Sequence, residues 1–226
     1  MRSPINLEFS RKYDKAHAQQ YFLKHQAGLA RRLSHKRDEQ LARRALMLAG
    51  EPGLVLDLPC GAGRFWPLLA EKANRVIIGA DNSADMIETA CAAQPSEIVA
   101  RVRPLQTSAF AIELPDNAVD SIFCMRLFHH IGEAAHRKAI LNEFHRVSRD
   151  SVIVSLWVDG NFKAWRRRKL ERRRGAEHGP ESYQNRFVLP TETVEAEFAA
   201  AGFRIQERLD FLPFYAMWRV YVLRKG

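Results

Sequence analysis

The chain has 226 residues, a formal net charge of +9, and 46% hydrophobic against 27% charged side chains. A chain of this length hides roughly 70% of its unfolded surface in one core without metals or disulfides, and its hydrophobic share with only 12 Gly and 10 Pro excludes disordered, collagenous and coiled-coil classes. No apolar run resembles a secretion signal or approaches the ~20 residues that cross a bilayer, so a soluble, cytoplasmic protein is expected. Cys60, Cys91 and Cys124 stand too far apart for a CxxC metal site or a disulfide framework, and reduced thiols are expected.

From Arg11 to Ala49 the pattern is helical, with Tyr13, His17, Gln20, Tyr21 and Lys24 on a helical period and Gly28 and Ser34 marking a break between two helices. After it come a strand at 54–58, a helix at 64–73, a strand at 75–79 and a helix at 84–93 with Ser83 as its N-cap. Strands at 102–106 and 119–125, a helix at 133–147 and a strand at 151–157 follow. Continuous Val/Ile/Leu runs indicate strands covered on both faces, and their alternation with helices indicates βαβ units. A helix at 191–201 ends at Gly202, and strands at 203–210 and 214–224, joined near Pro213, read as an antiparallel pair. The expected fold is therefore α/β, a doubly wound and mostly parallel seven-stranded sheet with an antiparallel pair at its end.

The charge is concentrated. Residues 1–50 hold eleven Lys/Arg against four Asp/Glu and residues 161–175 hold eight against one, which leaves the rest of the chain at −5. Two basic patches on an acidic body suit an anionic partner, and the guanidinium fork matches phosphate, although a solvated Arg-rich connection is an equal reading.

The segment Asp57-Leu-Pro-Cys-Gly-Ala-Gly-Arg-Phe65 lies where the first strand meets the first helix, the place where an open α/β sheet holds its ligand. Gly-x-Gly alone is weak evidence. A dinucleotide would call for a third glycine at the position occupied by Trp66, which counts against a nicotinamide-dependent oxidoreductase. Asp81, eighteen positions after Gly63 in Gly79-Ala-Asp-Asn-Ser83, can accept hydrogen bonds from both ribose hydroxyls of an adenosine.

These residues resemble the class I S-adenosylmethionine-dependent methyltransferases. The matching elements are the Asp57–Phe65 segment, Asp81-x-Ser83-x-x-Met86, Leu114-Pro115-Asp116 leading into Val119–Cys124, and Phe128-His129-His130. The resemblance implies a Rossmann-like methyltransferase domain at 51–226 with a basic insertion at about 160–190. The helices at 1–50 read as a lid over the cofactor cleft, with Tyr13 or Tyr21 contributing, or equally as helices packed against the sheet edge. The resemblance also implies S-adenosyl-L-methionine as cofactor, with Gly61 and Gly63 along its methionine part and Asp57 at its amino group, directly or through water. Asp81 would bind the ribose hydroxyls, and Met86, Ser108 and Ala109 would meet the adenine, with an ordinary helix-core position the alternative for Met86. Cys60, Asn82 and Met125 are further cofactor-binding candidates. Ser108 stands where the family usually has an acidic residue, and a neutral hydroxyl accepts a hydrogen bond less strongly than a carboxylate.

For methyl transfer the protein mainly aligns the acceptor and excludes water. His129 and His130 could remove a proton from the acceptor and Arg126 could bind an acidic group on it; helix capping, packing and a structural ion pair are the alternatives. The run around Phe128 and the strand ending in Leu156-Trp157-Val158 looks most like two branches, one methylating tRNA wobble uridine and one methylating quinones, lipids and small metabolites. A small or lipid-like anionic acceptor is favoured, because the arginines of the basic segment are not interleaved with aromatic stacking platforms; tRNA, peripheral membrane contact and a non-catalytic protein that binds an acidic partner stay open. No metal site is expected.

Overall fold

The computed structural model describes residues 29–178 and 186–226, with side chains described over 32–170 and 186–226. Helix α1 spans Leu29–Leu48. It is followed by β1 (Leu54–Asp57), α2 (Trp66–Leu69), β2 (Val76–Asp81), α3 (Ala84–Ala93), α4 (Ser96–Val99), β3 (Val102–Gln106) and β4 (Val119–Cys124). A single 3-10 turn at Phe128–His130 leads to α5 (Ala134–Val147), β5 (Ser148–Trp157), α6 (Phe162–His178), α7 (Thr191–Ala200), β6 (Phe203–Asp210) and β7 (Trp218–Lys225). The seven strands form one sheet in the order β3-β2-β1-β4-β5-β7-β6. β1 to β5 pair in parallel, and β7 inserts antiparallel between β5 and β6. The order reverses between β1 and β4, so their carboxyl ends splay around a crevice.

Alternate residues of the buried strands feed two cores. On one face Val55, Ile77, Phe123 and Val222 meet Leu41, Ala45 and Leu46 of α1, together with Trp66 and Ala90. On the other, Leu56, Ile122, Val154 and Tyr221 meet Phe144 of α5 and Phe198 of α7. The second half of α1 is thus part of the core, with Leu41, Ala42, Ala45 and Leu46 spaced along one helical face.

Three expectations are corrected. Ser34 does not interrupt a helix; α1 runs through it, because propensity at one Ser is outweighed by the apolar stripe that anchors the helix downstream. Gly28, Tyr13 and Tyr21 lie outside the described residues. The helix expected at 64–73 is regular only over Trp66–Leu69, with Pro67 in its first turn. The last strand begins at Trp218 instead of 214, because residues 211–217 form a turn in which Phe214 has φ +59°. The basic segment is helical from Phe162, capped by Asn161, whose Oδ1 accepts from the Ala164 N–H at 2.9 Å.

Candidate functional site

The carboxyl ends of β1, β2 and β4 open on a cleft of about 1030 Å³, counting space shared with solvent. Cys60, Gly61, Asp81, Asn82, Met86, Ser108, Ala109, Met125, Arg126 and His130 line it; Asp57, Gly63 and His129 stand behind its wall. Ten residues scattered over seventy positions of sequence converge because the parallel register brings Asp57 level with Gly79 on β2 and Phe123 on β4.

The turn after β1 is built on Asp81. One carboxylate oxygen accepts from the Gly61 N–H at 3.0 Å and the other from the Ser83 N–H at 3.0 Å, so one acid sets both the glycine turn and the start of α3. Ser83 Oγ caps α3 by accepting from the Met86 N–H at 3.3 Å. Burial raises the pKa of Asp81, and the hydrogen bonds from Ser83 and Gly61 hold it back. Gly61 and Gly63 have φ of +53° and +69°, a conformation that L side chains rarely adopt. A Cβ at Gly63 would come within 2.9 Å of the Trp66 ring, and one at Gly79 within 2.5 Å of it. Trp66, fully buried, fills the space that a dinucleotide fold leaves for a glycine contact.

Asp57 is buried beneath this turn, and among the described residues no donor meets hydrogen-bond geometry at its Oδ2. Burial pushes its carboxyl well up, the charge of Asp81 adds to this, and the Trp66 indole N–H offsets it in part. That indole nitrogen likewise lacks an acceptor in good geometry, so Asp57 is an orphaned buried acid beside the cleft. A ligand that carries a cation would satisfy it, which fits the sulfonium amino acid of S-adenosylmethionine. The Cys60 thiol is also pushed well up, by burial first and then by Asp57 and Asp81, which keeps it protonated and without nucleophilic character. Across the cleft, Ser108 Oγ accepts from the Phe110 N–H at 3.2 Å, and Thr107 bridges Ala111 and Glu113 to hold the loop after β3.

Arg126 follows β4 with φ +68°, its N–H donating to Ser155 Oγ at 2.9 Å. Its guanidinium donates to Asp38 Oδ2 and lies 4.9 Å from the centroid of the Trp218 ring. Asp38 Oδ2 also accepts from Arg64 at 2.7 Å, and Arg64 meets His35 Nδ1 at 2.9 Å, so the first half of α1 is tied to the rim of the cleft. Sequence reasoning missed the pairing of Asp38 with Arg64: Asp38 is a lone acid in a basic segment, Arg64 stood in the glycine motif without a role, and only the packing of α1 brings them together.

The two histidines diverge. His130 lines the cleft, whereas His129 is buried among rings, 5.0 Å from Trp157 and 4.7 Å from Trp218 between centroids. Burial, followed by the neighbouring charges of His130, Arg126, Arg186 and Arg167, lowers the pKa of His129 to about 2, so it is neutral and too weak a base at ordinary pH. Its Nδ1 and the Trp157 Nε1 are buried without hydrogen-bond partners among the described residues. Arg167 and Arg186 lie over the Trp157 ring at 5.0 and 5.9 Å. With Arg126, which lies over the Trp218 ring, they make a cationic, aromatic cluster beside the cleft.

Residues 55–151 match the family model described as a methyltransferase domain. No curated protein matches by sequence. Among solved structures, magnesium protoporphyrin IX methyltransferase (ChlM) from Synechocystis PCC 6803 with bound S-adenosylhomocysteine is similar at a TM-score of 0.74 and 14% identity, over 96% of this chain and 99% of that one. A SAM-dependent methyltransferase from Methanosarcina mazei is similar at 0.59 and 17%, over 76% and 92%. The (4+2)-cyclase SpnF is similar at 0.60 and 18%, over 83% and 82%. No described helix is long and apolar enough to cross a membrane. Residues 55–151 thus match a methyltransferase domain, and the strands that build the cleft carry the glycine turn after β1 and the acid at the end of β2 in the order that the class I S-adenosylmethionine-dependent methyltransferases show.

Proposed function

We propose that the chain transfers the methyl group of S-adenosylmethionine to a small-molecule acceptor that carries an acidic group, and that α1 up to about Leu41 serves as the lid over the cleft. Bound in the cleft, the cofactor supplies an electrophilic methyl on a sulfonium. Asp57 neutralises the cofactor's amino group, Asp81 and Asn82 accept from the ribose, and Met86, Met125, Ser108 and Ala109 surround the adenine. Gly61 gives close backbone approach, while Gly63 acts by letting the turn close on Trp66. His130 takes a proton from an acceptor oxygen or nitrogen that carries one.

The observation that carries the acceptor class is the convergence of Arg126, Arg167 and Arg186 around Trp157 and Trp218, next to two unpartnered buried nitrogens. An acid would meet these guanidiniums in fork geometry. The name of the Synechocystis relative, which gives a metalloporphyrin as its acceptor, supports a small molecule over a macromolecule.

The test is calorimetric titration with S-adenosylmethionine, S-adenosylhomocysteine and NAD, with Asp81→Asn as control, followed by labelled-methyl transfer to carboxylated and phosphorylated small molecules and, in parallel, to tRNA. Selective S-adenosyl binding, label on an acidic small molecule, and a KM that rises in Arg167→Gln for the acid but not for its neutral ester are expected. Label on tRNA alone would overturn the acceptor class, and folded protein that binds no S-adenosyl compound would overturn the enzyme reading.

A further inference from the structure

Among the described residues, six of the eight large apolar side chains that stand exposed gather in one place, at the start of α6 and in the turn between β6 and β7. Phe214 is 88% exposed and Trp165 56%, and Phe162, Leu170, Leu212 and Tyr215 join them. The two segments are pinned together: the Phe162 N–H donates to the Phe214 carbonyl at 2.9 Å and the Lys163 N–H to the Tyr215 carbonyl at 3.0 Å. At about 100° per residue, Trp165, Lys169, Phe162, Arg166, Leu170 and Lys163 fall on one side of α6, opposite the buried Ala164. This side therefore alternates rings and aliphatic tips with cations, within the stretch 161–175 whose eight basic residues face one acidic one.

We infer that this surface docks the protein onto an anionic lipid bilayer, with Phe214 and Trp165 entering the headgroup layer and the lysines and arginines held over it. Amphipathic aromatic rings favour that depth, and each basic group near an anionic leaflet adds attraction. Single-stranded RNA, which also combines rings with cations, fits less well, because base stacking needs open ring faces. Here Phe162 and Tyr215 stack on each other at 5.9 Å and 12°, Lys163 lies over the Tyr215 ring, and Lys169 lies over the Trp165 ring. Leu212 and Leu170 offer no face to a base at all. The surface adjoins the cluster around Trp157 through Arg167, on the same helix, but its docking does not depend on methyl transfer.

The test is flotation of the full chain with vesicles of phosphatidylcholine alone and of phosphatidylcholine mixed with phosphatidylglycerol, alongside tryptophan emission. Flotation with the mixed vesicles only is expected, with a blue shift in emission that Trp165→Phe removes. The pair Trp165→Ser and Phe214→Ser is expected to weaken binding by about tenfold or more, and Lys163→Glu with Lys169→Glu to weaken it similarly, while S-adenosylhomocysteine affinity, the measure of an intact fold, stays unchanged. Failure to float with anionic vesicles, or undiminished flotation of both variants, would overturn the inference. So would a wild-type dimer that the serine pair dissociates without any effect on vesicles, or loss of single-stranded RNA binding in its place.

Discussion

The Asp38 carboxylate on helix α1 forms an ion pair with Arg126, 88 positions further along the chain and at the mouth of the cleft. The same oxygen accepts from Arg64, so two guanidiniums share one buried acid. Asp38→Asn removes that shared charge, at a cost of about 3–5 kcal/mol. We expect S-adenosylhomocysteine affinity to fall by roughly tenfold with it, and a double-mutant cycle with Arg126→Gln to give a coupling of about 1–3 kcal/mol. Additive effects in calorimetry would disconnect α1 from the cleft.

Asp57 gives the cofactor site a pH dependence. A carboxyl whose pKa is raised in the fold binds its proton more tightly there than in the unfolded chain, so it opposes folding as pH rises through the interval between the two values. A bound cation favours the ionised form. Cofactor binding should therefore release protons, and affinity should rise with pH up to the raised pKa and then level. Asp57→Asn is expected to abolish this dependence and weaken binding while stabilising the free protein at neutral pH by about 1 kcal/mol or more; titrations in buffers of different ionisation enthalpy, with thermal melts, measure both.

His129 works in the opposite sense. Its pKa falls to about 2 in the fold, so the unfolded chain takes up a proton below about 6.5 that the native state refuses. Stability is fully present above that pH and declines by about 1.4 kcal/mol per unit as the pH drops below it. Denaturant titrations of His129→Gln should lose this slope. For the cleft-lining His130, by contrast, substitution by Ala should lower kcat by about 100-fold or more when the acceptor atom carries a proton, with little change in melting temperature.

Trp66 and Gly79 form a fitted pair. A methyl at Gly79 would lie 2.5 Å from the Trp66 ring and 2.9 Å from Val102, both in the core. Gly79→Ala should destabilise by about 1–3 kcal/mol, and Trp66→Phe should restore part of that loss in the double variant. A neutral Gly79→Ala would mean that the ring has room to move.

The strands and the cleft were readable from the sequence because each rests on local signals: β-branched runs buried on both faces, a glycine turn after the first strand, and an acid at the end of the second. Ser83 as a cap belongs to the same class, since its hydrogen bond spans three residues. What escaped was the part assembled from distant segments. Phe214 and Tyr215 lie some fifty positions from Phe162 and Trp165, so the arginine-rich stretch read as poor in aromatic neighbours although the fold supplies them. The histidine pair was legible as a pair, but not as one lining the cleft and one enclosed, because Trp157 and Trp218 come together only through the antiparallel pairing of β5 with β7.

At the end of β4 the chain holds an arginine in a backbone conformation that glycine adopts without penalty. A left-handed L-residue is disfavoured by roughly 1–2 kcal/mol, so at Arg126 backbone comfort and side-chain chemistry pull apart. Arg126→Gly would relieve that backbone and at the same time strip Asp38 of one of its two guanidiniums, so the ion pair at the cleft mouth is held at the expense of local conformation.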